Sequence, residues 1–356
     1  MNLTEFLTRA TKSAGLPGNE QEVAAFMQEA FAPYCEETQI DGLQNMIAHL
    51  PGDGAPGDGK SGEKGPGIYV CAHLDEIGLI VTDIEDDGCI RFSQMGGVDP
   101  RILPASEVKV LCDPPLHGVI GAKPPHILSE ADRKKNYKRE DLYIDVGFGA
   151  EEVRRRVHVG DRVQLTGPFT QLAGDYAACK TLDDRACCAI LWLAAQELSL
   201  RRHKADVYLV CSSQEEVGSR GAKTSVYAVN PDLAIAIDVT HADMPDCKAD
   251  ETHDIDKAAF TCGPNIHPKM LSDVLRVAKE VGVETSVSAC SGDTWTDAWE
   301  LQVSRAGVPT VLMELPLKYM HTTVETISLR TLREQARLLA AYIASLDADW
   351  EDKICF

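Results

Sequence analysis

No stretch of the chain approaches the ~18 consecutive apolar residues that a membrane-spanning helix needs. The opening MNLTEFLTRATKSAG has neither a long apolar core nor a secretory cleavage site. A soluble, cytoplasmic protein without a membrane partner is therefore expected. Basic residues are scarce: 35 Lys and Arg stand against 55 Asp and Glu, for a formal net charge of −20. That field repels phosphate backbones, so nucleic acid is not an expected partner. Solubility is its plain consequence, although it would also favour cationic ligands. Twelve cysteines are present, yet no CxxC pair marks a structural zinc site or a redox couple. Cys71, Cys89, Cys112, Cys179, Cys187, Cys188, Cys211 and Cys290 lie mostly in apolar or small-residue segments, which reads as reduced core thiols. No internal repeat is found.

At 356 residues the chain exceeds the ~250–300 residues that one core usually serves, so two domains are expected. Residues 3–10 and 19–31 carry helical apolar stripes, and MIAHL reads as a short strand. PGDGAPGDGKSGEKGPG, residues 51–67, has Gly and Pro without apolar anchors and is expected to be a long surface loop. From residue 77 to 166, short apolar stretches (LIVTDI, CIRFSQM, EVKVL, HGVIGA, YIDVG, DRVQL) alternate with turn residues, the texture of a small β-barrel or sandwich. SEADRKKNYKRED within it reads as a solvated charged loop. Beyond residue 170, helical patterns over 184–200, 268–281 and 329–346 alternate with buried strands at 207–213, 233–238, 284–290 and 309–315, with one more helix before the last strand. Ser328 is the expected N-cap of the final helix. Strand–helix alternation of this kind makes an α/β fold with a mostly parallel sheet flanked by helices. The expected organisation is a discontinuous catalytic domain, residues 1–76 and 167–356, with a β-domain, 77–166, inserted into it.

Chemistry concentrates at the ends of apolar segments. His73 ends GIYVCAH, Glu215 and Glu216 end VYLVCSSQEE, Asp238 ends LAIAID, His321 follows TVLMELP, and Asp183 opens LDDRACCAILWLA. In an open α/β sheet, groups past the carboxyl ends of strands converge on one crevice. Imidazoles and carboxylates converging there point to a two-metal hydrolytic site. Asp75 lies two residues beyond His73, on the same side of an extended chain, where it can accept from the ring nitrogen not used for metal. Asp183 alone would pass for a helix cap, but a carboxylate can also bridge two cations. Adjacent buried carboxylates such as Glu215 and Glu216 repel unless cations or a shared proton compensate; one can ligate while the other faces the attacking water. His241 and Asp243, and the acids Asp246, Asp250, Glu251, Asp254 and Asp256, read as a charge-rich solvated loop.

In this order and spacing, AHLDEIGLIV, GGVDPRILP, GVIGAKPPHIL, LYIDVG, GDRVQL, TLDDR, SSQEEVGSRGA, AIDVTHADMPD, GDTWTDA and MHTTVE resemble the tetrahedral, dodecameric metallo-aminopeptidases. That family includes glutamyl and deblocking aminopeptidases and members labelled cellulase or endoglucanase. The resemblance covers nearly the whole chain. It implies an aminopeptidase acting on short peptides, with two divalent ions (Zn²⁺ or Co²⁺) per subunit. His73 and Asp238 would hold one ion and Glu216 and His321 the other, with Asp183 as bridge, Glu215 as general base and Asp75 as supporting carboxylate. It also implies the inserted β-domain and a self-assembling dodecamer. The chain departs from the family in TCGPNIHPKM, in Trp295 and in the 51–67 insertion, all of which bear on substrate preference. The residues by themselves leave open a metal-dependent deacylase or carboxypeptidase, a glycosidase, and a non-catalytic assembly scaffold.

Overall fold

In a computed structural model of the chain, residues 1–53, 65–248 and 250–355 are described; the centre of the Gly/Pro-rich stretch, 54–64, lies outside them. Among the described residues the main sheet has eleven strands and is mixed. Its centre is parallel: Asp206–Ser212, Gly67–His73, Leu233–His241 and Thr310–Lys318 lie side by side in that order. Its flanks are antiparallel, with Glu37–Ile40 and Met46–Leu50 on one side and Glu325–Ser328, Tyr176–Cys179 and Thr170–Gln171 on the other. Ala258–Cys262 and Thr285–Ala289 branch off the path beside Thr310–Lys318.

The central strands read as continuous apolar runs because both their faces are covered. From Ile68 to His73 every residue is buried, although successive side chains point to opposite faces. The helix Leu182–Ser199 packs on three of these strands and on the helix Leu329–Ser345. Trp192 anchors it: the ring stacks on Phe6 at 4.7 Å, and its Nε1 donates to the Ala30 carbonyl at 3.1 Å. Ser328 does cap the helix Leu329–Ser345, accepting from Thr331 N, but that helix is not the final one expected: the short helix Trp350–Ile354 follows it. The expected helix before the final central strand shrinks to Ala298–Leu301. Asp256 differs from its solvated reading. It accepts from Tyr176 Oη and Ser328 Oγ, both at 2.9 Å, and ties the loop to the sheet.

Gly78–Ile84, Ile90–Met95, Glu107–Val110, Leu116–Ala122, Leu142–Asp145 and Arg162–Leu165 close into an antiparallel barrel with its own core of Leu79, Ile90, Val108, Leu142, Ile144 and Val163. It is inserted into the α/β body between the strand ending at His73 and the helix starting at Leu182. All twelve cysteines are free. Among the described residues no helix is long and apolar enough to cross a membrane.

A buried ionic cluster joins barrel to body. Glu76 accepts from Lys180 Nζ at 2.5 Å, Arg185 Nη2 at 3.2 Å, Thr181 Oγ1 at 2.9 Å and Gln164 Nε2 at 2.8 Å. Burial opposes its charge, but Lys180 and Arg185 prevail and hold the carboxyl below its usual range. Removing one partner from such a cluster strands the others uncompensated. Glu76→Ala is therefore expected to destabilise the chain by about 3–5 kcal/mol in denaturant unfolding. With a folded pKa below the unfolded one, Glu76 contributes stability above pH 4.5, and that contribution drains away as pH falls through the folded value.

Candidate active site

The carboxyl ends of the three neighbouring parallel strands deliver most of the site. His73 is the last residue of Gly67–His73, and Glu215–Val217 forms a single 3-10 turn just after Asp206–Ser212. Asp238 was expected at a strand end. The strand in fact runs on to His241, because Thr240 and His241 still pair with Pro316 and Leu317. Asp183 enters from the first turn of the central helix, where it and Asp184 have non-helical dihedrals. His321 follows the last central strand in a turn that places Tyr319 and His321 itself at positive φ, 61° and 59°. Thr181 (62°) and Gln214 (56°) are also left-handed just ahead of Asp183 and Glu215. Such strained backbone next to reactive groups persists only where the surroundings over-determine it.

All five ligand-type residues meet. Two groups form, His73 with Asp183 and Asp238, and Asp183 with Glu216 and His321; within each, the donor atoms lie within 4.8 Å of one another. Asp183 belongs to both. Its Oδ1 is 3.1 Å from His73 Nε2 and its Oδ2 is 3.2 Å from His321 Nε2, so its two oxygens face different imidazoles. His321 Nε2 is also 3.5 Å from Glu216 Oε1.

The remaining ring nitrogens are occupied. His321 Nδ1 lies 3.0 Å from the Gly97 carbonyl. His73 Nδ1 lies 3.2 Å from the Asp75 carbonyl and 3.4 Å from its carboxylate. Since a carbonyl can only accept, each Nδ1 carries a proton, which leaves Nε2, set against Asp183, as the ring nitrogen that a cation would take in place of a proton. The Gly97 carbonyl belongs to the segment just past barrel strand Ile90–Met95, and a Cβ at Gly97 would come within 2.7 Å of the His321 ring.

Asp75 does more than was expected of it. Its Oδ1 accepts from Glu215 N at 2.9 Å and its Oδ2 from Glu216 N at 3.2 Å, so the carboxylate beside His73 also fixes the turn bearing both glutamates. Glu215 belongs to neither ligand group; its Oε2 stands 3.9 Å from His73 Nε2.

The charge balance calls for cations. Burial pushes the Glu215 carboxyl up to about 10 and Glu216 up to about 7, and drives Asp238 well above its usual value. Burial opposes the charge on His321, yet Asp183 and Glu216 outweigh it and raise that imidazole to about 10. A buried nest of carboxylates facing two imidazoles is costly until positive charge enters. Carboxylate oxygens and imidazole Nε2 atoms, grouped in two triads with a shared member, fit a pair of divalent ions.

Sequence reasoning missed two carboxylates beneath the ligands. Glu325 accepts from Asp183 N at 3.1 Å and from His321 N at 2.9 Å, tying the two residues together. Asp184 Oδ2 accepts from His73 N at 3.0 Å. Both sit next to motif residues already noted, in TLDDR and MHTTVE; only the fold shows which backbone amides they serve. Partners that orient ligands are commonly worth 10–100-fold in metal affinity. Glu325→Ala should weaken metal binding by about that factor, as read by titration against a chromophoric chelator.

The family described as M42 glutamyl aminopeptidase matches residues 57–338. The lysyl aminopeptidase of Pyrococcus furiosus is 32% identical over 348 residues, 96% of this chain and 97% of that protein. Among solved structures, an aminopeptidase from the archaeon Desulfurococcus kamchatkensis superposes with a TM-score of 0.90 at 32% identity, covering 99% of this chain and 97% of that one. The TET1 peptidase of Pyrococcus horikoshii, described as assembling into a tetrahedron or a large octahedral shell, gives 0.82 at 29% identity over 97% of this chain and all of that one (100%).

Proposed function

Since the chain belongs to the M42 glutamyl aminopeptidase family and is thus a hydrolase acting on peptide bonds, we propose that it removes amino-terminal residues from short peptides with two divalent ions and with Glu215 as general base. His73 and Asp238 would hold one ion and Glu216 and His321 the other, with Asp183 shared between the two sets. The observation that carries this reading is the two-faced Asp183, whose oxygens address His73 and His321 separately. Nitrogen and oxygen donors suit Zn²⁺ or Co²⁺. Bound there, such ions polarise the scissile carbonyl and bring the pKa of water from ~15.7 to ~7.

Glu215 does the proton work. It takes one proton from the attacking water as the oxygen bonds to the carbonyl carbon. It then returns that proton to the departing nitrogen as the C–N bond breaks, regenerating its carboxylate. Asp75 keeps that carboxylate in place through the Glu215 and Glu216 amides. Residues 77–166 act as a separate inserted domain and mediate self-assembly into a dodecamer, a reading supported by the shells that the P. horikoshii peptidase forms. The free thiols support a reducing, cytoplasmic setting.

Purified chain supplied with Zn²⁺ or Co²⁺ should release the first residue of a short peptide and leave the same peptide untouched once its amino end is acetylated. Equal cleavage of the acetylated peptide would sink the aminopeptidase mechanism. Light scattering that finds only monomer would remove the assembly claim.

A further inference from the structure

The cavity over the candidate metal centre, about 640 Å³, reaches past the ligands to Glu314 of the strand Thr310–Lys318 and to Asp293, Trp295 and Trp299. On the far side from His73 it meets Glu314, which belongs to neither ligand group. In the parallel register Glu314 lies directly opposite Asp238. Register partners on parallel strands point to one face at a spacing of ~4.8 Å. Glu314 therefore stands one strand over from Asp238, on the strand that leads to His321, and lines cavity space open to the first side chain of a bound peptide. It is 7% exposed, and its partners are two hydroxyls: Thr261 Oγ1 donates to Oε2 at 2.7 Å, and Thr240 supplies the other.

The charge bookkeeping of this arm differs from that of the metal centre. Carboxylates of Asp183, Glu216, Asp238 and Glu215 suffice to balance two divalent ions. Of the other carboxylates lining the cavity, Glu300 pairs with Lys223 at 2.8 Å. Glu314 and Asp293 are left facing the space, and no lysine or arginine is among the described residues that line it. At the rim stand Trp295 and Trp299, 85% and 36% exposed. Indole faces attract ammonium and guanidinium groups. An acidic first side chain would meet repulsion here, and an apolar one would leave a buried carboxylate without its counter-charge.

Building on the aminopeptidase reading, we infer that Glu314, seconded by Asp293 and the tryptophan rim, is a specificity-determining residue that selects peptides beginning with lysine or arginine. Sites built around a buried polar group discriminate strongly against ligands that leave it unmatched.

The test uses the full chain loaded with Zn²⁺ or Co²⁺ and a panel of aminoacyl anilides with Lys, Arg, Leu and Glu. For wild type, kcat/KM for Lys and Arg should exceed that for Leu by at least tenfold, with Glu cleaved least. In Glu314→Gln the Lys-to-Leu ratio should fall at least tenfold. Should that variant not fold, inhibition of the wild type by L-lysine against L-norleucine decides instead, since the two differ in the terminal ammonium. Lysine should bind at least tenfold more tightly. Preference for Leu or Glu, an unchanged ratio in the variant, or equal inhibition by the two amino acids overturns this inference and leaves the aminopeptidase reading intact. Release from none of the four substrates overturns both.

Discussion

Replacing Glu215 by glutamine lowers kcat by about 10²–10⁴-fold and leaves metal content unchanged. The isosteric amide keeps the volume and the 3-10 turn, because the turn is fixed by the amides of residues 215 and 216 on Asp75, which the substitution does not touch. It removes only the ability to hold and return a proton. Neither ligand group contains Glu215, so both cations should remain in place. KM should change little, placing the loss on the chemical step. The environment sharpens the expectation. With burial pushing Glu215 up to about 10, its carboxyl carries a proton until nearby cations bring that value down. In the proposed mechanism the same residue would thus act as a base only with the metals bound. Measured kcat with metal analysis on the same preparation checks both halves; full activity in Glu215→Gln would require another base.

The second large effect concerns Asp183. Asp183→Ala should cost both ions, whereas Asp238→Ala or Glu216→Ala should each cost one. The difference arises because Asp183 alone is common to both donor groups. Metal stoichiometry by elemental analysis reads this directly, and activity should fall to background in Asp183→Ala. Chelation of the wild type should have the same outcome and be reversed by Zn²⁺ or Co²⁺. Stability follows: a ligand present at ~1,000 times its Kd stabilises the fold by about 4 kcal/mol. Melting temperature should therefore rise with added metal in the wild type and stay flat in Asp183→Ala. Loss of a single ion in Asp183→Ala would separate the two groups and remove the bridge.

Much of this arrangement was legible in the chain because its strongest signals are local. Seven-residue apolar runs such as GIYVCAH and DVYLVCS announce buried parallel strands, and the groups at their ends inherit a common destination from the topology. The antiparallel flanks were harder to read. Tyr176–Cys179 and Glu325–Ser328 have four residues each and Thr170–Gln171 has two, too few for a period to show. They exist because the neighbouring strand offers unpaired amides and carbonyls, a tertiary cause. The backbone amides that the supporting carboxylates serve escaped notice for a related reason. Asp75 and the Glu215 amide are 140 residues apart, and Glu325 and the Asp183 amide 142. Nothing in the wording around either acid records such a partner. Glu314 was hidden in another way: inside TVLMELP it interrupts an apolar run, and only the register with Asp238 turns that interruption into a pocket floor.

The carbonyl of Gly97 has an implication for anyone wishing to trim this protein. Excising the barrel to obtain a minimal catalyst would also delete the acceptor that sets the tautomer of His321, along with Gln164, which helps anchor Glu76 three positions after His73. The insertion is thus a structural limb of the reaction centre, and a truncated enzyme would inherit a histidine free to present the wrong nitrogen.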